Sequence, residues 1–364
     1  MPITLNGTTG ISTPNLDSAG TVTTTNLVNG SPLAFRNKII NGSFQIAQRN
    51  TVSTVTPSAG VTTYPSLDRW FIAQTGATAS LFLGQTTPQT TGVFKAGYFG
   101  RTSGQTNVPN YIFMGQQIES FNVYDLRGKT ATVSFNAFRG TNAPTNLIVV
   151  ARFGTSADES SSNGLGGSWT GYSSATASAL SIGTTVASYT YNFSIPSNAS
   201  EMMVLFYYAP TGTAGANEWF ALENLQLEAG SVATPFEVRP IGNELALCQR
   251  YYQKSFLTTQ TPQNATGGVA IGGAAAVLLN TNQTTKRAPV YFPVLMRSSP
   301  LVVLYQTNGN GTAGQFGNAV NAADSTSYPA TTVAATEKAL SVQTTYTGTL
   351  AVDFAIHWTA DAEL

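Results

Sequence analysis

Charge is what this chain has least of. Asp, Glu, Lys and Arg make up 9% of its 364 residues, against about 25% in an average soluble domain. Acids and bases balance at 17 each, so the formal net charge is zero. With no basic stripe, a nucleic-acid partner held through its phosphates is not expected. Cys248 is the only cysteine and His357 the only histidine. One cysteine excludes an intrachain disulfide framework, and one of each cannot furnish the ligands of a zinc site. A lone histidine without a G-x-S-x-G elbow gives no footing for a Ser-His-Asp site. Neither a metal nor any other cofactor is expected. No apolar run approaches the ~20 residues of a spanning helix, so membrane insertion is not expected either. The opening MPITLNGTTG has neither the basic nor the apolar region of a secretory leader. No repeat of solenoid length recurs, which sets aside a parallel β-helix.

What is present is 42% hydrophobic residues, with Gly, Ser, Thr and Asn carrying most of the polarity. A neutral surface of that kind suits a protein that shares much of its surface with neighbouring subunits. Residues 1–36 are Thr-, Asn- and Gly-rich with isolated apolar residues, too few to offset the entropy of ordering alone. They read as an extended arm. From Asn37 onward come short aromatic or β-branched runs separated by Gly, Ser and Pro: 39–49, 66–74, 79–85, 94–100, 111–118, 130–138, 146–153, 188–195, 201–209 and 219–227. No helical period is sustained across them, the pattern of an antiparallel sandwich and most simply a jelly roll. After Pro240, GNELALCQRYYQK fits a helix of about three turns, with Asn243 as N-cap and Leu245, Cys248 and Tyr252 on one face. Cys248 reads as a small buried apolar residue. Strand runs return at 268–279, 289–296, 300–307, 339–346 and 348–360, with one long glycine-rich loop at 308–338. The expectation is an all-β chain: an N-terminal extended arm (1–36), a jelly-roll β-sandwich (37–240), a short linker helix (241–254) and a C-terminal β-sandwich tip (255–364).

The segment WFALENLQLEAGSVATPFEVRPIGNELALCQRYYQK (219–254) is the most distinctive. Its apolar residues Phe220, Leu222, Leu225 and Leu227 slip by one residue, which predicts a β-bulge. The QLE-G-x-x-ATPFE-x-RP run followed by E-L-x-L-C-Q-R-Y-Y resembles a junction in tail-fibre and related virion proteins of tailed bacteriophages. The opening ITLNGTTGISTP and the terminal ADAEL resemble the two ends of such proteins. The order N-G-S-F, L-D-R-W-F, Q-L-E resembles their carbohydrate-binding-module-like jelly rolls. The resemblance implies a homotrimeric virion protein, assembled in the host cytoplasm and released by lysis. Its arm 1–36 would attach to other tail or baseplate proteins, and its partner outside the particle would be a bacterial surface glycan. A scaffold role as head fibre, capsid decoration or baseplate component is the alternative, and a glycan depolymerase a third.

Chemistry is sparse. Paired carboxylates are the one catalytic option that the composition leaves open, with Asp158 and Glu159, Glu223 and Glu228, or Asp353 and Asp361 as pairs. Asp158 and Glu159 read as a solvated loop, also able to offer oxygen ligands to calcium but without EF-hand spacing. Turn and ion-pair roles are commoner for such residues, so no catalytic residue is assigned and an enzyme is not expected. His357 reads as a strand histidine at a subunit contact. In Asp68-Arg69-Trp70, Trp70 is expected to fill the core while its two neighbours pair or cap a loop. Sugar recognition needs aromatic faces against C–H-rich pyranose faces, with planar polar groups to fix hydroxyls. Loop positions that offer this are Trp169, Tyr172, Tyr64, Phe316 and Tyr328, with Trp169 foremost.

Overall fold

The computed structural model describes residues 5–6, 10–11, 35–264, 275–277, 285–307, 315–318, 328–345 and 354–364. Apart from the paired β1 (Leu5–Asn6) and β2 (Gly10–Ile11), and from Phe35 and Arg36, the arm expected at 1–36 lies outside them.

The body contains β3 (Val52–Val55), β4 (Phe71–Gly76), β5 (Leu81–Thr86), β6 (Ala96–Arg101), β7 (Pro109–Ile118) and β8 (Thr130–Arg139). It continues with β9 (Asn146–Gly154), β10 (Ser173–Ser174), β11 (Ser178–Ser181), β12 (Ala187–Ser194), β13 (Glu201–Tyr208) and β14 (Trp219–Ala229). Short helices α1 (Ser120–Val123) and α2 (Ser161–Gly166) interrupt them. The front sheet is ordered β10-β9-β13-β7-β4 with β11 also on β9, and the back sheet β12-β8-β14-β6-β5-β3. Every pairing is antiparallel. This is an all-β sandwich. Successive side chains point to opposite faces of a strand, and one face of each sheet meets in a single core. Trp70 leads into β4, whose Ile72 faces inward; Met114, Val149, Val204 and Phe206 join from the front, and Leu83, Phe99, Val133 and Leu222 from the back. The run 39–49, expected to alternate as a strand, is an irregular turn instead, and pairing starts only at Val52.

That turn explains the predicted bulge. The register of β14 against β8 shifts between Glu223 and Gln226, and Asn224 adopts a left-handed φ of 48°. The bulge frees Leu225, whose N–H donates to Gly42 O at 2.9 Å. A Cβ on Gly42 would collide with Leu225 O, so the Asn-Gly turn lies against the bulge because only glycine fits. Asn41 takes the left-handed φ of 58°, accepts from Ile46 N and donates to Ile46 O and Asp68 O. Its own carbonyl accepts the Trp70 indole N–H at 3.1 Å, which leaves that buried ring with no unmet polar group.

The helix α3 spans Ile241–Gln249, shorter than expected. Pro240 rather than Asn243 occupies the N-cap, with no side-chain cap bond, because proline fixes φ at a value suited to helix entry. Tyr252 is not on the helix but starts β15 (Tyr252–Lys254). Cys248 is buried with Ile40, Ile46, Tyr251 and Leu364. The tip adds β16 (Ala275–Val277), β17 (Thr285–Tyr291), β18 (Leu301–Gln306), β19 (Gln315–Asn318), β20 (Tyr328–Ala335), β21 (Ala339–Thr345) and β22 (Phe354–Asp361). The stretch 308–338, expected as one loop, thus contributes β19 and β20. The strand β22 pairs with β15, β16, β18 and β19 along its length, and Trp358, Ile356, Leu304, Leu340 and Val342 form the tip core.

Tip and body meet across a buried polar seam. Arg69, left-handed at φ 73°, pairs with Glu363, donates to Gln117 O at 2.6 Å and stacks 3.5 Å above the Tyr251 ring. Arg49 pairs with Asp361 at 2.9 Å and stacks 3.8 Å above Tyr252. Asp68 accepts from Gln48 N at 2.8 Å, and the Gln48 amide also donates to Tyr252 O. Asp68 and Arg69 therefore do pair as expected, Asp68 with Gln48 and Arg69 with Glu363 at the far end of the chain. His357 is buried in the tip, stacked on Phe256 at 4.1 Å with Nδ1 2.9 Å from Ser255 Oγ.

Candidate glycan-binding face

Most sandwich sheets bury one face and wet the other. Here the outer face of the front sheet is apolar as well. Phe71 and Ala73 from β4, Phe113 from β7, Met203 and Leu205 from β13 and Val150 from β9 form a second cluster on it. At one end α2 lies over this face. Ser160 caps α2 by accepting from Asn163 N, and Gly167 ends it in a left-handed turn at φ 74°. At the other end the face is open and aromatic. Tyr207 pairs in register with Phe113, their rings 5.0 Å apart, and Tyr111 meets Tyr207 edge-on at 5.3 Å. Tyr111 is 42% exposed. Burial raises the Tyr207 phenol, with Tyr111 and Tyr172 adding to the rise and Arg152 opposing it. Tyr111, Tyr172 and Arg152 are each close enough to Tyr207 to act on its charge. The Tyr111–Tyr207 pair offers a C–H-stacking surface, with Arg152 further along the same face toward α2 as a hydrogen-bond donor.

The loop positions expected to bind sugar fall out differently. Trp169 is 3% exposed, beneath α2, with its indole N–H donating to Ser160 O at 3.0 Å. A Cβ on Gly164 would strike its ring, so glycine in α2 is what lets the helix lie on the indole. Neither face of Trp169 is open to a pyranose. Tyr172 is half-buried on the same face, 5.9 Å from the Arg152 guanidinium. Tyr64 is also on this face, but its hydroxyl donates to Leu364 O at 3.1 Å, which ties it to the seam. Phe316 and Tyr328 are register partners across β19 and β20 in the tip, and their side chains lie outside the described part of the structure. The structure thus groups Trp169, Tyr172 and Tyr64, and adds Tyr111, Phe113 and Tyr207. These three were legible as an aromatic set in phase on β7 and β13, opposite in phase to Ile112, Met114 and Phe206.

The carboxylates have structural partners. Glu223 accepts from Gln89 N at 2.6 Å, and Glu228 from Thr234 N at 2.8 Å. Asp158, left-handed at φ 56°, accepts from Ser120 N, and Glu159 from Thr170 N. Asp361 pairs with Arg49, while Asp353 lies outside the described residues. Among the described residues no group of three or more His, Cys, Asp or Glu side chains could hold a metal ion, and no helix is long and apolar enough to cross a membrane.

Glu201, buried at the α2 end of β13, accepts from Glu159 N at 2.7 Å. Burial, aided by the charges of Glu159 and Asp158, pushes its carboxyl up to about 8. The folded chain then holds this proton more tightly than the unfolded one, so stability falls as pH rises from about 4.5 toward 8. Glu201→Gln is expected to flatten that part of the profile. Thermal melts across this range would check it, and an unchanged slope would count against the assignment.

No protein-family model matches the chain, and no curated protein matches it. Three solved structures similar to part of it are of low similarity. The enzymatically active domain of tailspike protein 4 of bacteriophage CBA120 is 13% identical at a TM-score of 0.32, over 54% of this chain and 22% of that one. A family 4 carbohydrate-binding module is 18% identical at 0.30, over 52% of this chain and 98% of the module. The C-terminal family 22 carbohydrate-binding module of Clostridium thermocellum is 14% identical at 0.30, over 49% and 100%. The chain thus spans about a fifth of the tailspike domain's length.

Proposed function

We propose that the protein is a non-enzymatic fibre of a tailed-phage virion that binds a glycan of the host surface through the Tyr111–Tyr207 face. The observation that carries this reading is a pair of partly exposed tyrosines, Tyr111 and Tyr207, seated on the buried Phe113 ring of a sheet face that is itself apolar. The resemblance of residues 219–254 and of the opening segment to phage fibre proteins supports the virion setting. In this reading the chains assemble as a homotrimer, with the arm 1–36 held by tail or baseplate proteins. Weak contacts repeated over several copies then give avidity without a tight single site.

Tyr111→Ala is expected to weaken binding of the recombinant protein to host cells or extracted envelope glycan about tenfold, the loss of one stacking ring. Its unfolding midpoint should barely move, because the ring is half exposed. Equal binding by wild type and variant would exclude this face. Failure of the wild type to bind any host glycan would favour the scaffold alternative. New reducing ends released from host polysaccharide would point instead to a depolymerase.

A further inference from the structure

The charge class of the ligand can be read from Arg152, given the glycan-binding face on which this inference rests. Arg152 belongs to β9 in register with Met203 of the same outer face, and its guanidinium lies 5.9 Å from the Tyr172 ring. Its Nη1 donates to Gly164 O at 3.0 Å and to Leu165 O, closing the C-terminal end of α2. That role uses one nitrogen. Nε is buried without a hydrogen-bond partner, which leaves Nη2 to face a ligand, and no carboxylate lies within ion-pair distance of the guanidinium among the described residues. Arg49, Arg69, Arg101, Arg239 and Arg250 are all paired with a carboxylate. In a chain this poor in charge, Arg152 is an unneutralised cation half-buried beside a tyrosine face. A guanidinium fork matches a carboxylate in geometry and charge.

We propose that the face selects an acidic saccharide, with tyrosines stacking on the sugar ring and Arg152 pairing with a ring or side-chain carboxylate. A neutral glycan would make the stacking contacts and leave the guanidinium without its counter-charge.

The test uses matched probes and the full chain. Oligogalacturonate, oligomannuronate and sialyllactose are each titrated calorimetrically alongside their carboxyl-reduced forms. At least one acidic probe is expected to bind about tenfold or more tightly than its reduced counterpart, the scale of a hydrogen bond to a charged group. Arg152→Gln should reduce that ratio to near one, whatever it does to the reduced probe alone, and Arg152→Lys should retain part of it. Tyr111→Ala, with Arg152 intact, should weaken acidic and reduced probes alike. Equal binding of acidic and reduced forms would overturn the charge assignment and leave the tyrosine face standing, as would a preference that survives in Arg152→Gln. Binding that is indifferent to Tyr111→Ala would overturn the face itself. Should no acidic probe bind, the proposal also fails.

Discussion

Glu363→Ala is expected to lower the thermal unfolding midpoint by roughly 10 °C, a shift that follows from leaving a buried guanidinium without its carboxylate. Arg69 is almost fully buried, and Glu363 is its ion-pair partner. Glu363 also lies 3.4 Å from Arg49, so one substitution withdraws a counter-charge from two cations. Breaking a buried pair from one side costs about 3–5 kcal/mol, because the remaining charge is neither solvated nor matched. The loss should appear at the seam first. A calorimetric scan of the wild type is expected to show one cooperative transition, and the variant two, as tip and body separate. Glu363→Gln, which retains an acceptor for Arg69, should fall between them. Glu337→Ala, at an exposed tip position, serves as control. A shift in Glu363→Ala no larger than in the control would mean that the seam is not what couples the two parts.

Trp169→Ala is the second large effect, and its meaning is reversed by the structure. As an exposed platform, the ring could be lost with little change in stability. As the buried floor of α2, it takes Leu165, Met203 and Gly164 packing with it and removes the indole donor to Ser160 O, which keeps only the Gly164 N–H. Truncating a buried tryptophan costs about 3–5 kcal/mol, so a midpoint drop of several degrees is expected. The α2 loop carries Tyr172, and its C-terminal carbonyls hold Arg152. Glycan binding should therefore fall too, but as a consequence of the loosened loop. Comparison with Tyr111→Ala separates these roles: one variant loses stability and binding together, the other binding alone. A Trp169→Ala protein with wild-type stability and weakened binding would restore the ring as a direct contact.

The sequence patterns that proved readable are local ones. Apart from β10 and β11, which no run foretold, the strands from 71 to 229 follow their apolar and aromatic runs, and the bulge at Asn224 follows from the one-residue slip between Leu222 and Leu225. Each depends on neighbours a few residues away. The errors come where distant chain decides. Tyr252 continues a helical pattern in sequence, yet it leaves the helix because β22 offers it a ladder partner at Asp361. Trp169 looks loop-borne among glycines, and those glycines are what let α2 close over it.

By itself, then, the sequence determined an all-β chain with no disulfide framework and the phases of most of its strands. Hydrophobic period and turn chemistry are written residue by residue, so they survive without coordinates. Only the tertiary structure decided that Asp68-Arg69, Tyr251-Tyr252 and Asp361–Glu363 meet in one buried seam, and that Tyr111 and Tyr207, in phase with Phe113, share a face with Tyr172 and Arg152. Those contacts join segments separated by tens to hundreds of residues. Their energies come from burial and charge matching that no local window of sequence contains.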